Sequence, residues 1–192
     1  MPVTVSRIDY WRLKLAAIVN LVVGRTAAAE AVFDAMHRCW PNDPYVLSSR
    51  SHVRQQRGAR DLAIDDACAL VTAHPKRSAG DWFNLAFLLE EGSRFDDAEG
   101  AFRRALALDP KLDRAWYGLG LTLIRLKRFD EAVTALERNT QLQPMSPYGW
   151  YQLARVHVAR SEPDKARRII SRLKGFEPGV AAQLERETGL VG

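Results

Sequence analysis

The stretch from Trp82 to Pro110, WFNLAFLLEEGSRFDDAEGAFRRALALDP, decides how the chain is read, because it comes back twice. Residues 116–144 read WYGLGLTLIRLKRFDEAVTALERNTQLQP, and residues 150–178 read WYQLARVHVARSEPDKARRIISRLKGFEP. Trp82, Trp116 and Trp150 lie 34 residues apart. Leu85, Leu119 and Leu153 keep the same spacing, as do Ala98, Ala132 and Ala166, and Pro110, Pro144 and Pro178. A fixed period of this size marks a repeat architecture. Within the quoted unit Trp82, Leu85, Ala86 and Leu89 fall at i, i+3, i+4 and i+7, one stripe of a helix. Ala98, Phe102 and Ala105 form the matching stripe of a second helix. Second helices open with acids (Asp96-Asp97, Asp130-Glu131 and Glu162-Pro163-Asp164), which suit the positive end of the helix dipole. Pro110, Pro144 and Pro178 lack an N–H and close each unit.

The frame extends backwards from these three units, 79–112, 113–146 and 147–180. A divergent unit at 10–43 carries Leu13, Ala16, Ala17, Gly24, Ala29, Phe33, Met36 and Pro41 at matching positions. The unit at 44–78 is one residue longer and degenerate: Ala63, Ala67, Leu70 and Pro75 fit, while PYVLSSRSHVRQQRG fits poorly. There Arg50 and Arg54 fall where apolar residues belong, and a shift of one residue puts Val46, Ser49 and Val53 in their place. Either register leaves a thin apolar face, so this helix is expected to be the least stable part of the chain. The combined pattern resembles the tetratricopeptide repeat (TPR) family, whose signature runs W-x2-L-G-x2-Y, then A-x3-F, then P. The resemblance implies an all-α fold, a right-handed α-α superhelix (solenoid) of TPR helix-turn-helix units with a concave groove. It makes 1–192 a single TPR domain, with 181–192 as a C-terminal capping helix.

Composition agrees with this class. The chain has 192 residues, 47% hydrophobic and 27% charged, which is globular and excludes a long disordered segment. The longest apolar run, Leu15 to Gly24, is interrupted by Asn20 and is half the length of a membrane span. Residues 7–31 have the layout of a signal peptide, with Arg7, Arg12 and Lys14 ahead of LAAIVNLVVG and an Ala-rich stretch after it. Asp9, Asn20 and the continuing repeat frame favour a first repeat helix in a cytoplasmic protein, with export as the alternative.

No catalytic or metal-binding constellation is found, and no cofactor is expected. His37, His52, His74 and His157 have no partner at ligand spacing. His157 reads as a satisfied inter-helix residue. Gly118-x-Gly120 lacks the third glycine and preceding strand of a phosphate loop. Carboxylates are expected on helix starts and outer faces, solvated. Cys39 and Cys68 form no CxxC motif and are expected to be small buried hydrophobes. The chain is therefore read as non-enzymatic.

In TPR proteins the first helices of the units line the groove. The first two units offer Trp11, Lys14, Leu15, Ile18, Tyr45, Ser48, Ser49 and His52. The third offers Phe83, Asn84 and Phe87; the fourth Arg114, Tyr117, Leu121 and Arg125; the fifth Tyr148, Tyr151, Gln152 and Arg155. Aromatic rings supply contact area, while Asn and Arg hold a peptide backbone or carboxylate. The expected partner is a protein or peptide, apolar with an acidic element. The carboxylate clamp that grips acidic chaperone tails needs Lys, Asn and Arg at set positions. In the frame starting at 44 these hold Ser48, His52, Asn84, Arg114 and Gly118, and the frames starting at 10 and 79 match no better. Clamp-type chaperone binding is not expected.

Net charge is +5 overall, and +1, +3, −3, +1 and +4 over the five units. Two basic clusters, Arg50–Arg54–Arg57–Arg60 and Arg167–Arg168–Arg172–Lys174, raise RNA or another polyanion as the alternative partner. The acidic third unit interrupts such a track, and solvated helix faces explain the clusters more simply. Leu184 and Leu190 alone are left to cover the last unit, which makes a homodimer through the solenoid ends a further expectation.

Overall fold

The computed structural model describes residues 6–192. The first five residues of the expected domain lie outside them. Among the described residues there are eleven α-helices and no strand. Ten of them follow the frame as five consecutive pairs: α1 (Arg7–Val22) and α2 (Thr26–Cys39), α3 (Pro44–Gln56) and α4 (Arg60–Ala73), α5 (Ala79–Glu91) and α6 (Phe95–Leu108), α7 (Asp113–Arg125) and α8 (Phe129–Leu142), α9 (Pro147–Ala159) and α10 (Pro163–Lys174). The eleventh, α11 (Pro178–Thr188), starts three residues before the expected cap, because Pro178 takes the first-turn position that suits proline rather than closing the preceding unit.

Local chemistry sets the helix ends. Ser6 and Asp9 form a reciprocal capping box at the start of α1. Asp43 caps α3 by accepting from Val46 N–H at 2.9 Å, and Ser78 caps α5 by accepting from Gly80 N–H at 3.0 Å. The turn inside each pair holds one residue in the left-handed region, at Gly24, Gly58, Ser93, Lys127 and Ser161. These are the same position of five successive units. The indole N–H groups of Trp82, Trp116 and Trp150 donate to the carbonyls of Pro75, Pro110 and Pro144 at 2.9, 2.9 and 3.0 Å. The first helices α5, α7 and α9 are thereby tied to the loops that lead into them.

The chain divides into two compact units, Met1–Gly92 and Ser93–Gly192. In the first, Ala17, Ala29, Phe33, Met36, Val46 and Val53 form one buried core between α1, α2 and α3. Leu47, Ala63, Ile64, Ala67, Leu70, Leu85 and Leu89 are also buried. In the second, Leu136, Leu153, Val156, Ile170, Leu173, Ala181 and Leu184 form the core that joins α8 to α11. Leu184 is fully buried, and Leu190 and Phe176 pack beside it. The expectation of a poorly covered last helix pair is corrected: α11 covers it.

The second repeat also departs from expectation. Val46, Leu47, Arg50, Ser51 and Val53 are the buried face of α3, so both candidate registers contribute and Arg50 lies inside. Its guanidinium donates to Asp66 at 2.9 and 2.5 Å and to Asp34 at 3.2 Å. Arg54 donates to Glu30, Asp34 and Asp66 at 3.1, 3.0 and 2.8 Å, and Arg57 pairs with Glu30. Two carboxylates expected in solvent, Asp66 and Glu30, are buried, and so is Asp81, which Arg77 holds at 2.8 and 2.5 Å. Burial of a carboxylate requires a paired cation with matching hydrogen bonds, and the planar guanidinium supplies them. Arg50 and Arg54 of the first basic cluster are therefore an internal brace between α2, α3 and α4, while Arg57 and Arg60 are exposed. The cysteines are corrected as well: Cys39 is exposed and Cys68 half-buried, since both fall beside the buried stripe of their helices.

Candidate functional site

In the first unit one concave pocket lies between α3 and α5, floored by Ala67 and Leu70 of α4. Ser48, His52 and Gln55 recur at i, i+4 and i+7 on α3, and Asp81, Asn84 and Phe87 face them from α5. His52, Asn84 and Phe87 thus line one pocket. Phe83 is half-buried and does not line the pocket. Gln56 donates its amide to His52 Nε2 at 3.0 Å, which makes that ring nitrogen the acceptor. Gln55 is held by Glu91 at 3.1 Å. Phe87 is 42% exposed and Asn84 is exposed, so the rim is one aromatic ring beside one amide.

In the second unit the residues form two groups. Arg114, Tyr117 and Tyr148 share a pocket with Asp113, Asn139, Gln143 and Ser146, between α7, α8 and α9. Asn139 donates its amide to the Asp113 carbonyl at 2.9 Å, tying α8 to the first turn of α7. Gly149 makes the close approach there possible, because a Cβ at that position would overlap the Asn139 amide oxygen. Tyr148 is 69% exposed.

The other group joins α9 to α11. The Tyr151 hydroxyl donates to Glu187 at 2.7 Å, and the Arg155 guanidinium lies 5.6 Å from the Tyr151 ring centroid. Gln183 braces Glu187 at 2.8 Å. The Tyr151 hydrogen bond holds the Glu187 carboxyl below its usual range, with Gln183 adding to it, and the same bond raises the Tyr151 hydroxyl. Arg125 is exposed at the end of α7, Leu121 is half-buried one turn before it, and Gln152 is half-buried on α9. The glycine pair considered as a phosphate loop has a packing role instead. A Cβ on Gly118 would enter the Phe102 ring, and one on Gly120 would lie 2.7 Å from Leu136 side-chain carbons.

Among the described residues no group of His, Cys, Asp and Glu is arranged to hold a metal ion, and no helix is long and apolar enough to cross a membrane. His157 is buried and pairs through Nδ1 with Glu162 at 2.7 Å.

The family described as Tetratricopeptide repeat matches residues 83–147, the span that carries α6, α7 and α8 whole. Residues 83–147 are tetratricopeptide-repeat sequence, and the 34-residue frame continues on either side of them. No curated protein matches the chain in sequence. Solved TPR-type structures share the fold of this chain at low identity. A tetratricopeptide repeat protein from Parabacteroides merdae superposes with a TM-score of 0.82 at 20% identity, covering 94% of this chain and 73% of that one. The MamA protein gives 0.80 at 18% identity, covering 92% of each chain. YrrB, described as a TPR protein with an unusual peptide-binding site, gives 0.79 at 16% identity and 88% of each. TPR proteins generally mediate protein–protein interactions and are typically scaffolds rather than enzymes.

Proposed function

We propose that this chain is a non-enzymatic TPR scaffold that binds a partner peptide on the faces of its first helices. The observation that carries the reading is the pocket of Arg114, Tyr117 and Tyr148 beside the amide of Gln143. Two exposed or half-exposed rings give contact area at low entropy cost, a guanidinium takes a carboxylate, and amides take backbone groups. The pocket of His52, Asn84 and Phe87 repeats the combination of ring and amide in the first unit. The partner segment is an extended or helical peptide, apolar with an acidic element, and not a chaperone tail of the clamp-binding type. The peptide-binding site named for YrrB is consistent with this use of the fold. The same reading takes 1–192 as one TPR domain. It places the protein in the cytoplasm, since α1 and α2 fold together around Ala17, Phe33 and Met36 and removal of α1 at export would bare that core.

The test is affinity capture from the native host with the intact chain and with Phe87→Ala and Arg155→Ala variants of unchanged circular dichroism. Loss of the same prey in both variants supports the reading. Retention of every prey by a Tyr117→Ala/Arg114→Ala double variant as well overturns it.

A further inference from the structure

The outward side of α1 is apolar along its whole length. Ile8, Trp11, Leu15, Ile18, Val19 and Val22 are 71, 59, 63, 41, 51 and 80% exposed. On a helical projection they occupy an arc of about 100° opposite the buried Ala17, where a surface helix ordinarily carries its polar residues. With neighbouring Val23 they present roughly 800 Å² of surface, above the about 300–600 Å² of the largest patch on an ordinary monomer.

The geometry points to a second copy of this chain as the occupant, packed α1 against α1 in antiparallel fashion about a two-fold axis. Three observations select it. First, residues 8, 11, 15, 18 and 22 follow a strict 3-4-3-4 spacing, the seam of two packed helices. Second, the patch matches the about 800 Å² per partner that a standard stable interface buries. Third, the charges fit. Arg7 and Arg12 belong to the N-terminal half of α1, and the last turn of α1 has no basic residue. Antiparallel pairing centres on Leu15 against the partner's Leu15 and puts Ile8 against the partner's Val22. Each pair of arginines then approaches the negative end of the opposite helix. An anionic lipid surface fits less well, because Lys14 is committed: its ammonium lies 3.8 Å from the Tyr45 ring centroid and 5.1 Å from that of Trp11. This surface is carried by α1, whose Trp11, Leu15 and Ile18 the sequence also offers to the groove, and it lines neither the pocket on α3–α5 nor that on α7–α9.

Sedimentation velocity on the full chain at micromolar concentration is expected to give twice the 21.6 kDa monomer mass. Leu15→Glu, at an exposed position on the axis, is expected to weaken dimerisation by about 100-fold or more with unchanged helix content. In a Cys39→Ser/Cys68→Ser background, Leu15→Cys is expected to cross-link to itself on mild oxidation. Ile8→Cys is expected to cross-link to Val22→Cys in mixed samples but not to itself. The cross-links read the contact even where Leu15→Glu fails to fold. A monomer at all concentrations, a dimer untouched by Leu15→Glu with no Leu15→Cys cross-link, or a monomer that sediments with phosphatidylglycerol vesicles overturns the proposal.

Discussion

Arg50 is the residue that most changes how this sequence is understood. An arginine at an apolar position of a helix signals either a wrong register or a buried ion pair. Here it is the second, with Asp66 placed at the facing position of α4 and Asp34 on α2. The signal was present in the sequence as a charge at a core position in each of two helices of one repeat. Pairing them requires knowing which faces meet, and spacing along the chain does not show that. Removing one partner strands a buried carboxylate, although Arg54 still reaches Asp66. Arg50→Ala is expected to cost about 3 kcal/mol in denaturant unfolding, whereas Arg50→Met with Asp66→Leu is expected to recover most of that loss. Gly118 is a second residue with a steric reason. Gly118→Ala drives a methyl into the buried Phe102 ring, and the overpacking cost outweighs the helix-propensity gain. Its expected effect is a loss of about 1–2 kcal/mol in the same measurement.

At the scale of elements, the helix pairs were legible because Trp, Leu, Ala and Pro recur with a 34-residue period. The turns were less legible. The left-handed position is glycine in the first two units, at Gly24 and Gly58, but Ser93, Lys127 and Ser161 in the others. A side chain in that region costs about 1–2 kcal/mol, partly offset by the entropy glycine loses on folding. Lys127→Gly is therefore expected to stabilise the protein by about 0.5–1 kcal/mol, read as a higher melting temperature. The α3 helix was expected to be the least stable element. With Val46, Leu47 and Val53 fully buried and Arg50 braced on both sides, its amides are expected to exchange about as slowly as those of α7. In Arg50→Ala they become the fastest of the pair. Faster exchange of α3 in the unaltered chain contradicts this account. The candidate site was legible residue by residue, since helical spacing places Asn84 and Phe87, or Tyr151 and Arg155, on one face. The carboxylates that brace it were not, because Glu187 and Gln183 come from α11, outside the repeat frame.

For the whole molecule, the acidic side chains set the dependence on pH. Glu131, Glu162, Glu185 and Glu187 are held below the ordinary carboxylate range by their first partners, Arg128, His157, Lys174 and Tyr151. A value lower in the folded than in the unfolded state means that unfolding takes up protons. Their contribution is complete above about pH 5 and is lost as pH falls through the lowered values. The melting temperature is expected to fall between about pH 5 and pH 3, and a Glu162→Gln/Glu187→Gln variant to fall less over that interval. The tryptophans give the molecule an optical signature of its own. Trp82, Trp116 and Trp150 each commit the indole N–H to a proline carbonyl, and the Arg172 guanidinium lies 4.4 Å from the Trp150 ring centroid. Trp11 is set apart, more than half open to solvent. Collisional quenchers of fluorescence will thus report first on α1, and covering that helix will change the emission without any label.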